Sequence, residues 1–224
     1  MRFFSKRAPE GPLRDYLEAD NPGPRTALHE LNLLAVDVET TGLDPKRDSL
    51  LSIGWVAVDG AGTADSPAAK IRCGQAGHRL LLGASVGQSA VIHGLTDDAL
   101  ADKGVAVKEA LTELLEQLKG RALLCHFSAI ETQFLSAACQ EHFGAALKIP
   151  AVIDTFAIER RHMERMSTYP RGEDLRLPRV RERYGLPVNH RRHDALSDAL
   201  SCAELYLAQL AHTKARTVKQ LANP

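Results

Sequence analysis

Leu33-Leu34-Ala35-Val36-Asp37-Val38-Glu39-Thr40-Thr41-Gly42-Leu43 is the stretch on which the fold turns. Leu33 to Val38, apolar except for Asp37, reads as a central strand, and Thr40-Thr41-Gly42 closes it with a turn. In a strand, residues i and i+2 project from the same face. Asp37 and Glu39 therefore share one face at the strand's end, while Val36 and Val38 point the other way, into a core. Two carboxylates at that spacing repel each other unless a cation sits between them or one is protonated. Hard oxygen donors of this kind suit Mg²⁺ or Mn²⁺. Taken alone, the same residues also fit a solvated strand end.

Outward from this strand the pattern is regular. Leu50 to Asp59 reads as a second strand closed by Asp59-Gly60, and Ala69 to Cys73 as a third, which makes an antiparallel meander. Thr96-Asp97-Asp98 has the form of a helix cap followed by an acidic first turn. The apolar spacing at 107, 110, 111, 114, 115 and 118 predicts a helix over Val105 to Leu118, ended by Gly120. Ala122 to Cys125 is a short buried strand, Ile130 to His142 a helix, Val152 to Asp154 another short strand, and Thr155 to Arg165 a helix. A short helix near Pro178 to Tyr184 precedes a last one from about Asp194 to His212. Three strands followed by helix–strand–helix–strand–helices describe one α/β domain with a mixed five-stranded sheet flanked by helices. We expect that domain over 31–213, after an N-terminal extension (1–30) broken by Pro9, Pro12, Pro22 and Pro24, with a tail over 214–224. A short helix is expected at Leu13 to Glu18, in a segment otherwise readable as a loosely attached tail.

The 224 residues suffice for one sizeable core. Apolar residues at 44% and charged residues at 25% place the chain among ordinary globular domains, and a net charge of zero means that bulk charge does not announce a nucleic-acid partner. Cys73, Cys125, Cys139 and Cys202 form no C-x-x-C pair, so a zinc site is not indicated. Unpaired cysteines in apolar segments point to a reducing, cytoplasmic compartment. No signal peptide is legible after Met1, and no apolar run approaches a membrane span.

Two further segments carry potential chemistry. In His193-Asp194-Ala195-Leu196-Ser197-Asp198, Asp194 is placed to cap the last helix, with His193 just before it and Asp198 one turn in. A histidine beside a metal-binding carboxylate is the arrangement a general base needs, although a cap and a surface residue would read alike. Glu131 follows the buried strand Leu123-Leu124-Cys125 and the loop His126-Phe127-Ser128, in the first turn of the next helix, where the helix dipole alone would favour an acid.

In this order and spacing the segments resemble the DEDDh exonuclease family, which has an RNase H-like fold. Asp37 to Leu43 looks like the family's first motif and Val91-Ile92-His93-Gly94-Leu95-Thr96 like the segment before a helix in the epsilon proofreading subunit of bacterial DNA polymerase III. His126 to Glu131 falls where the second motif belongs. Ile153-Asp154-Thr155 is similar to the family's strand-to-helix Asp-Thr. His193-x-Ala195-x-x-Asp198 resembles the third motif, histidine included. The resemblance covers about residues 32–210 and departs at the second motif, where Phe127 stands for the usual Asn and Glu131 for the usual Asp.

The resemblance implies a 3′→5′ exonuclease with two divalent ions, Mg²⁺ or Mn²⁺. Asp37 is expected to bridge both, Glu39 and Asp198 to complete one site, Glu131 to support the other, and His193 to act as base. It also implies a substrate-binding role for Thr40, Gly42, Leu43, Ile92 and His93, with Leu43 as an apolar wedge under the terminal base. The epsilon-like segment leans toward single-stranded DNA, with a polymerase or repair partner. The alternatives are an RNA exonuclease of the ribonuclease T or oligoribonuclease type, and a weakly active accessory protein using the fold as a binding module. Residues 156–192 hold ten arginines against five acidic residues, a difference of +5. That stretch fits phosphate contacts and equally a solvated helical face.

Overall fold

A computed structural model describes residues 8–60, 69–188 and 194–222, apart from the side chain of Ile92. One five-stranded sheet runs through these residues in the order β3-β2-β1-β4-β5. The strands are β1 (Leu33–Thr40), β2 (Leu50–Asp59), β3 (Lys70–Leu80), β4 (Ala122–Cys125) and β5 (Val152–Asp154). β2 pairs antiparallel with both β1 and β3, and β4 pairs parallel with both β1 and β5. The mixed sheet and the central place of β1 match the expectation from the sequence.

The helices are α1 (Pro12–Glu18), α2 (Ala90–His93), α3 (Asp97–Lys103), α4 (Val107–Leu118), α5 (Ala129–Phe143), α6 (Thr155–Arg165), α7 (Leu177–Arg183), α8 (Ala195–Leu210) and α9 (Val218–Ala222). Thr96 caps α3 by accepting from the Ala99 N–H at 3.2 Å. The pleat of β1 divides the molecule into two cores. Leu34, Val36 and Val38 face α1, α4 and α5, where Tyr16, Leu111, Leu115 and Phe134 meet them. Leu33 and Ala35 face α8 and α9, packing among Ala199, Cys202, Tyr206 and Leu221. Asp37 and Glu39 continue that second row.

Three boundaries differ from the sequence reading, each for a physical reason. β3 runs on to Leu80 because it is an edge strand: residues 72–76 are exposed, so no apolar alternation marks them. Gly77 then lets the Trp55 ring of β2 lie across the strand, where a Cβ would meet the ring. α4 begins at Val107 because Val105 is spent on a bridge to Leu81. Residues 8–30 are not a loose tail. Leu13 and Tyr16 are fully buried, Ala27 bridges to Thr217, and Leu28, Val218 and Leu221 share the second core. The expected boundaries at 30 and 214 thus cut through segments that pack on one another. No described helix is long and apolar enough to cross a membrane.

Candidate active site

β1 delivers Asp37 and Glu39 to the face covered by α8, and Glu39 is buried there. α8 starts where Asp194 caps it, the carboxylate accepting from the Ser197 N–H at 3.2 Å, which sets Asp198 one turn inside the helix. The helix lies across β1 and β2. Its approach depends on a residue that the sequence reading passed over. Gly54 pairs with Asp37 across the β1–β2 register, and a Cβ at Gly54 would run into the backbone of Ala195 and Leu196. A lone glycine inside a strand is a signal of close backbone approach, and here the approaching backbone is the first turn of α8.

The outcome is a cluster. One ligand oxygen from each of Asp37, Glu39 and Asp198 lies within 4.8 Å of the other two. Burial, followed by the charges of Glu131, Asp198, Glu39 and Asp194, raises the Asp37 carboxyl well above the usual carboxylate range. An all-oxygen, self-repelling, partly buried set is suited to a hard divalent cation, which would remove the repulsion. The residues present therefore fit the metal that the motifs imply.

Glu131 is not a member of that three-residue set. It projects from the first turn of α5 and is 3% exposed, close enough to be the strongest charged influence on Asp37. Its own pKa is pushed up to about 8, first by burial, with Asp154 adding to the rise. Asp154 itself is fully engaged. Its Oδ1 accepts from the N–H groups of Phe127 (3.0 Å), Phe156 (3.0 Å) and Ala157 (3.3 Å), and its Oδ2 from the N–H and hydroxyl of Ser128 (3.0 and 2.9 Å). One carboxylate thus caps α6 and straps down the turn that leads into Glu131. His126 is equally structural. Its Nε2 lies 2.8 Å from the Leu175 carbonyl, which can only accept, so Nε2 carries the proton, while Nδ1 faces the Thr155 hydroxyl at 2.8 Å. Burial lowers its pKa, in keeping with a neutral ring.

The turn after β1 is built as a projection. The Thr40 hydroxyl donates to the Gly42 carbonyl at 2.6 Å, and a Cβ at Gly42 would collide with the Asp48 carboxylate. Asp48 in turn accepts from the Thr41 hydroxyl and the Asp44 N–H. Leu43 is left 78% exposed. His93 is buried, with Nε2 on the Ser89 hydroxyl at 3.0 Å and Nδ1 accepting from the Leu95 N–H at 3.1 Å. Both ring nitrogens are spent inside the fold, so any part His93 plays at the substrate is steric. The side chain of Ile92, and His193 as a whole, lie outside the described residues.

Four described arginines of the basic stretch are paired with acids inside it. Arg160, Arg171, Arg179 and Arg183 pair with Glu164, Asp174, Glu182 and Glu159. Arg181 is buried and ties α7 to α8 through the Ser201 carbonyl and Glu204. Arg183 and the Tyr184 hydroxyl both donate to Glu159, which is 2% exposed.

The chain matches the RNase T family, described as exonuclease, over residues 34–206. It is 28% identical over 190 residues to DNA polymerase III subunit epsilon of Treponema pallidum, covering 83% of this chain and 80% of that protein. It is also 28% identical over 179 residues to the PolC-type DNA polymerase III of Thermotoga maritima, covering 80% of this chain and only 12% of that polymerase. The nuclease domain of 3′hExo, a DEDDh family member solved bound to rAMP, superposes with a TM-score of 0.64 at 14% identity, over 84% of this chain and 95% of that one. The family match runs from the first residues of β1 to the last turns of α8 and so takes in every carboxylate described above: the chain belongs to the RNase T exonuclease family.

Proposed function

We propose that the chain removes nucleotides one at a time from the 3′ end of single-stranded DNA, releasing nucleoside 5′-monophosphates, in proofreading or repair beside a polymerase or repair partner in the cytoplasm. One observation carries the reading: the convergence of Asp37, Glu39 and Asp198 at the end of β1. The choice of DNA is supported by relatives that are DNA polymerase III polypeptides. A neighbour bound to rAMP supports RNA as the alternative substrate.

In this reading Asp37, Glu39 and Asp198, with Glu131 in support, would hold two divalent ions, Mg²⁺ or Mn²⁺. When bound, such a pair stabilises the charge on the attacking and leaving oxygens of an in-line displacement. The protein does the rest. His193 precedes the Asp194 cap by one residue and takes the proton from the attacking water, for which it must be neutral. Thr40 and Gly42 hold the turn that presents Leu43 beneath the terminal base, with Ile92 and His93 forming the opposite wall.

The test uses 5′-labelled DNA and RNA oligomers with Mg²⁺, Mn²⁺ or EDTA. A ladder shortening from the 3′ end of DNA, absent in EDTA, is expected. RNA degraded faster than DNA would move the assignment to the RNA branch, and no degradation of either would leave a binding module. His193→Ala is expected to lose roughly 10²–10⁴-fold in turnover. Recovery by His193→Gln would show that His193 orients the water without accepting its proton.

A further inference from the structure

Phe127 stands where neither backbone nor burial favours it. Its φ is +73°, in the left-handed region that glycine and asparagine enter easily and a bulky side chain does not. Its ring is 46% exposed, so the strain is not offset by full burial. Strain held at a fixed point beside a reacting centre is commonly functional.

The residue is nevertheless rigidly held. Its N–H is bonded to Asp154 at 3.0 Å, and the neighbouring Ser128 is bonded twice to the same carboxylate. The ring leans edge-to-face on Phe156, with centroids 5.0 Å apart and planes at 62°. Phe156 is set in turn by an edge contact with His126 at 5.8 Å. β4 runs parallel beside β1 with Leu124 opposite Ala35, so Phe127, two residues past the end of β4, leaves the sheet at the same edge as Asp37 and Glu39, four residues before Glu131 in the first turn of α5. An acidic centre attracts no phosphate by itself, so affinity there has to come from the cations or from contacts that carry no charge. A braced aromatic face supplies the latter for any base, at low entropic cost, provided the base is unpaired.

We propose that Phe127, braced by Phe156, is a stacking platform for an unpaired base of the substrate strand and thereby determines the preference for single-stranded ends. The inference rests on the nuclease reading above. It also gives the departure from the family's second motif a chemical meaning, since a ring that stacks replaces an amide that hydrogen-bonds.

The experiment measures kcat and KM with Mg²⁺ on single-stranded oligomers, intact or carrying one abasic site at each of the last three 3′ positions. Wild type is compared with Phe127→Gly, which accepts the positive φ and adds no amide, with Phe127→Asn, and with Phe127→Trp, which keeps a stacking face. Thermal melting accompanies each variant. Loss of the ring is expected to raise KM roughly 5- to 150-fold, the range of one base–aromatic stack, with the smaller effect on kcat, and Trp should restore most of it. One abasic position should weaken wild type by a similar factor and leave Phe127→Gly unaffected, because the two changes remove the same contact. A blunt duplex should be cut no worse by Phe127→Gly than by wild type. A KM within twofold of wild type for a folded Phe127→Gly, or abasic and Phe127 effects that simply multiply, would overturn the platform and leave the nuclease standing. Wild-type protein that leaves every oligomer intact would overturn both.

Discussion

The two faces of the sheet supply carboxylates by different means. On the α8 side, Asp37 and Glu39 are neighbours in one strand row, and Asp198 is brought to them by a helix lying against bare backbone at Gly54. On the α5 side, Glu131 arrives from a turn strapped by Asp154, and it remains outside the three-residue cluster. The first arrangement follows from strand pleat and steric contact, which leave little freedom. The second hangs on hydrogen bonds and a strained Phe127. The α8 side should therefore fail abruptly when altered, and the α5 side by degrees.

The largest effect is expected at Asp37, which belongs to the cluster and also receives the charge of every other carboxylate there. Asp37→Ala should abolish divalent-metal binding, measured by calorimetry, and remove roughly 10³-fold or more of turnover. In EDTA its melting temperature should be no lower than that of wild type, since a self-repelling charge has gone. Normal turnover by the purified variant would break the comparison at its stronger side.

Gly54→Ala comes next. It touches no substrate, yet its methyl group would occupy the place of the α8 backbone. We expect a destabilisation of about 1–3 kcal/mol together with loss of metal affinity, because Asp198 moves with α8. A variant that melts early but binds metal as wild type does would show that the helix can shift without carrying Asp198 away.

At Glu131 the effects should be graded, with Ala losing most activity and Asp retaining a measurable part. Its titration provides a second readout. A carboxyl whose folded pKa is raised contributes stability that is fully present below its unfolded value near 4.5 and is lost as pH rises through about 8. Metal-free wild type should thus lose stability between about pH 5 and pH 8, Glu131 contributing at most about 1.4 kcal/mol per pH unit and the raised Asp37 carboxyl adding to the fall. Glu131→Gln should flatten that slope, and an equally steep curve for the variant would assign the proton elsewhere.

The smallest effects on metal binding and turnover are expected at the arginines, which stability separates from one another. Arg179 and Glu182 form an exposed pair, so Arg179→Ala should change stability by no more than about 1 kcal/mol. Arg183→Ala leaves the buried Glu159 with only the Tyr184 hydroxyl, for a cost toward the lower end of about 3–5 kcal/mol. Melting curves distinguish them. If only Arg179 alters the salt dependence of oligonucleotide binding, phosphate contact belongs to the exposed arginines and packing to the buried ones.

Much of this protein is legible in its amino-acid sequence. Near-continuous apolar runs identify β1 and β2, because both of their faces are covered and their side chains must be apolar. The pairing of Asp37 with Glu39 follows from pleat geometry alone, and the Asp194 cap from the chemistry of helix ends. What the chain by itself does not reveal is anything set by contacts distant in sequence. The exposed end of β3 carries no apolar signal. The docking of α1 depends on its packing against α4, and that of α9 on a pairing between Ala27 and Thr217. Arginines that look alike in a row divide into paired, buried and exposed according to which helix lies beside them. The closing of Asp198 onto Asp37 is decided in three dimensions as well, since a missing Cβ at Gly54 matters only once a helix backbone comes to rest on it.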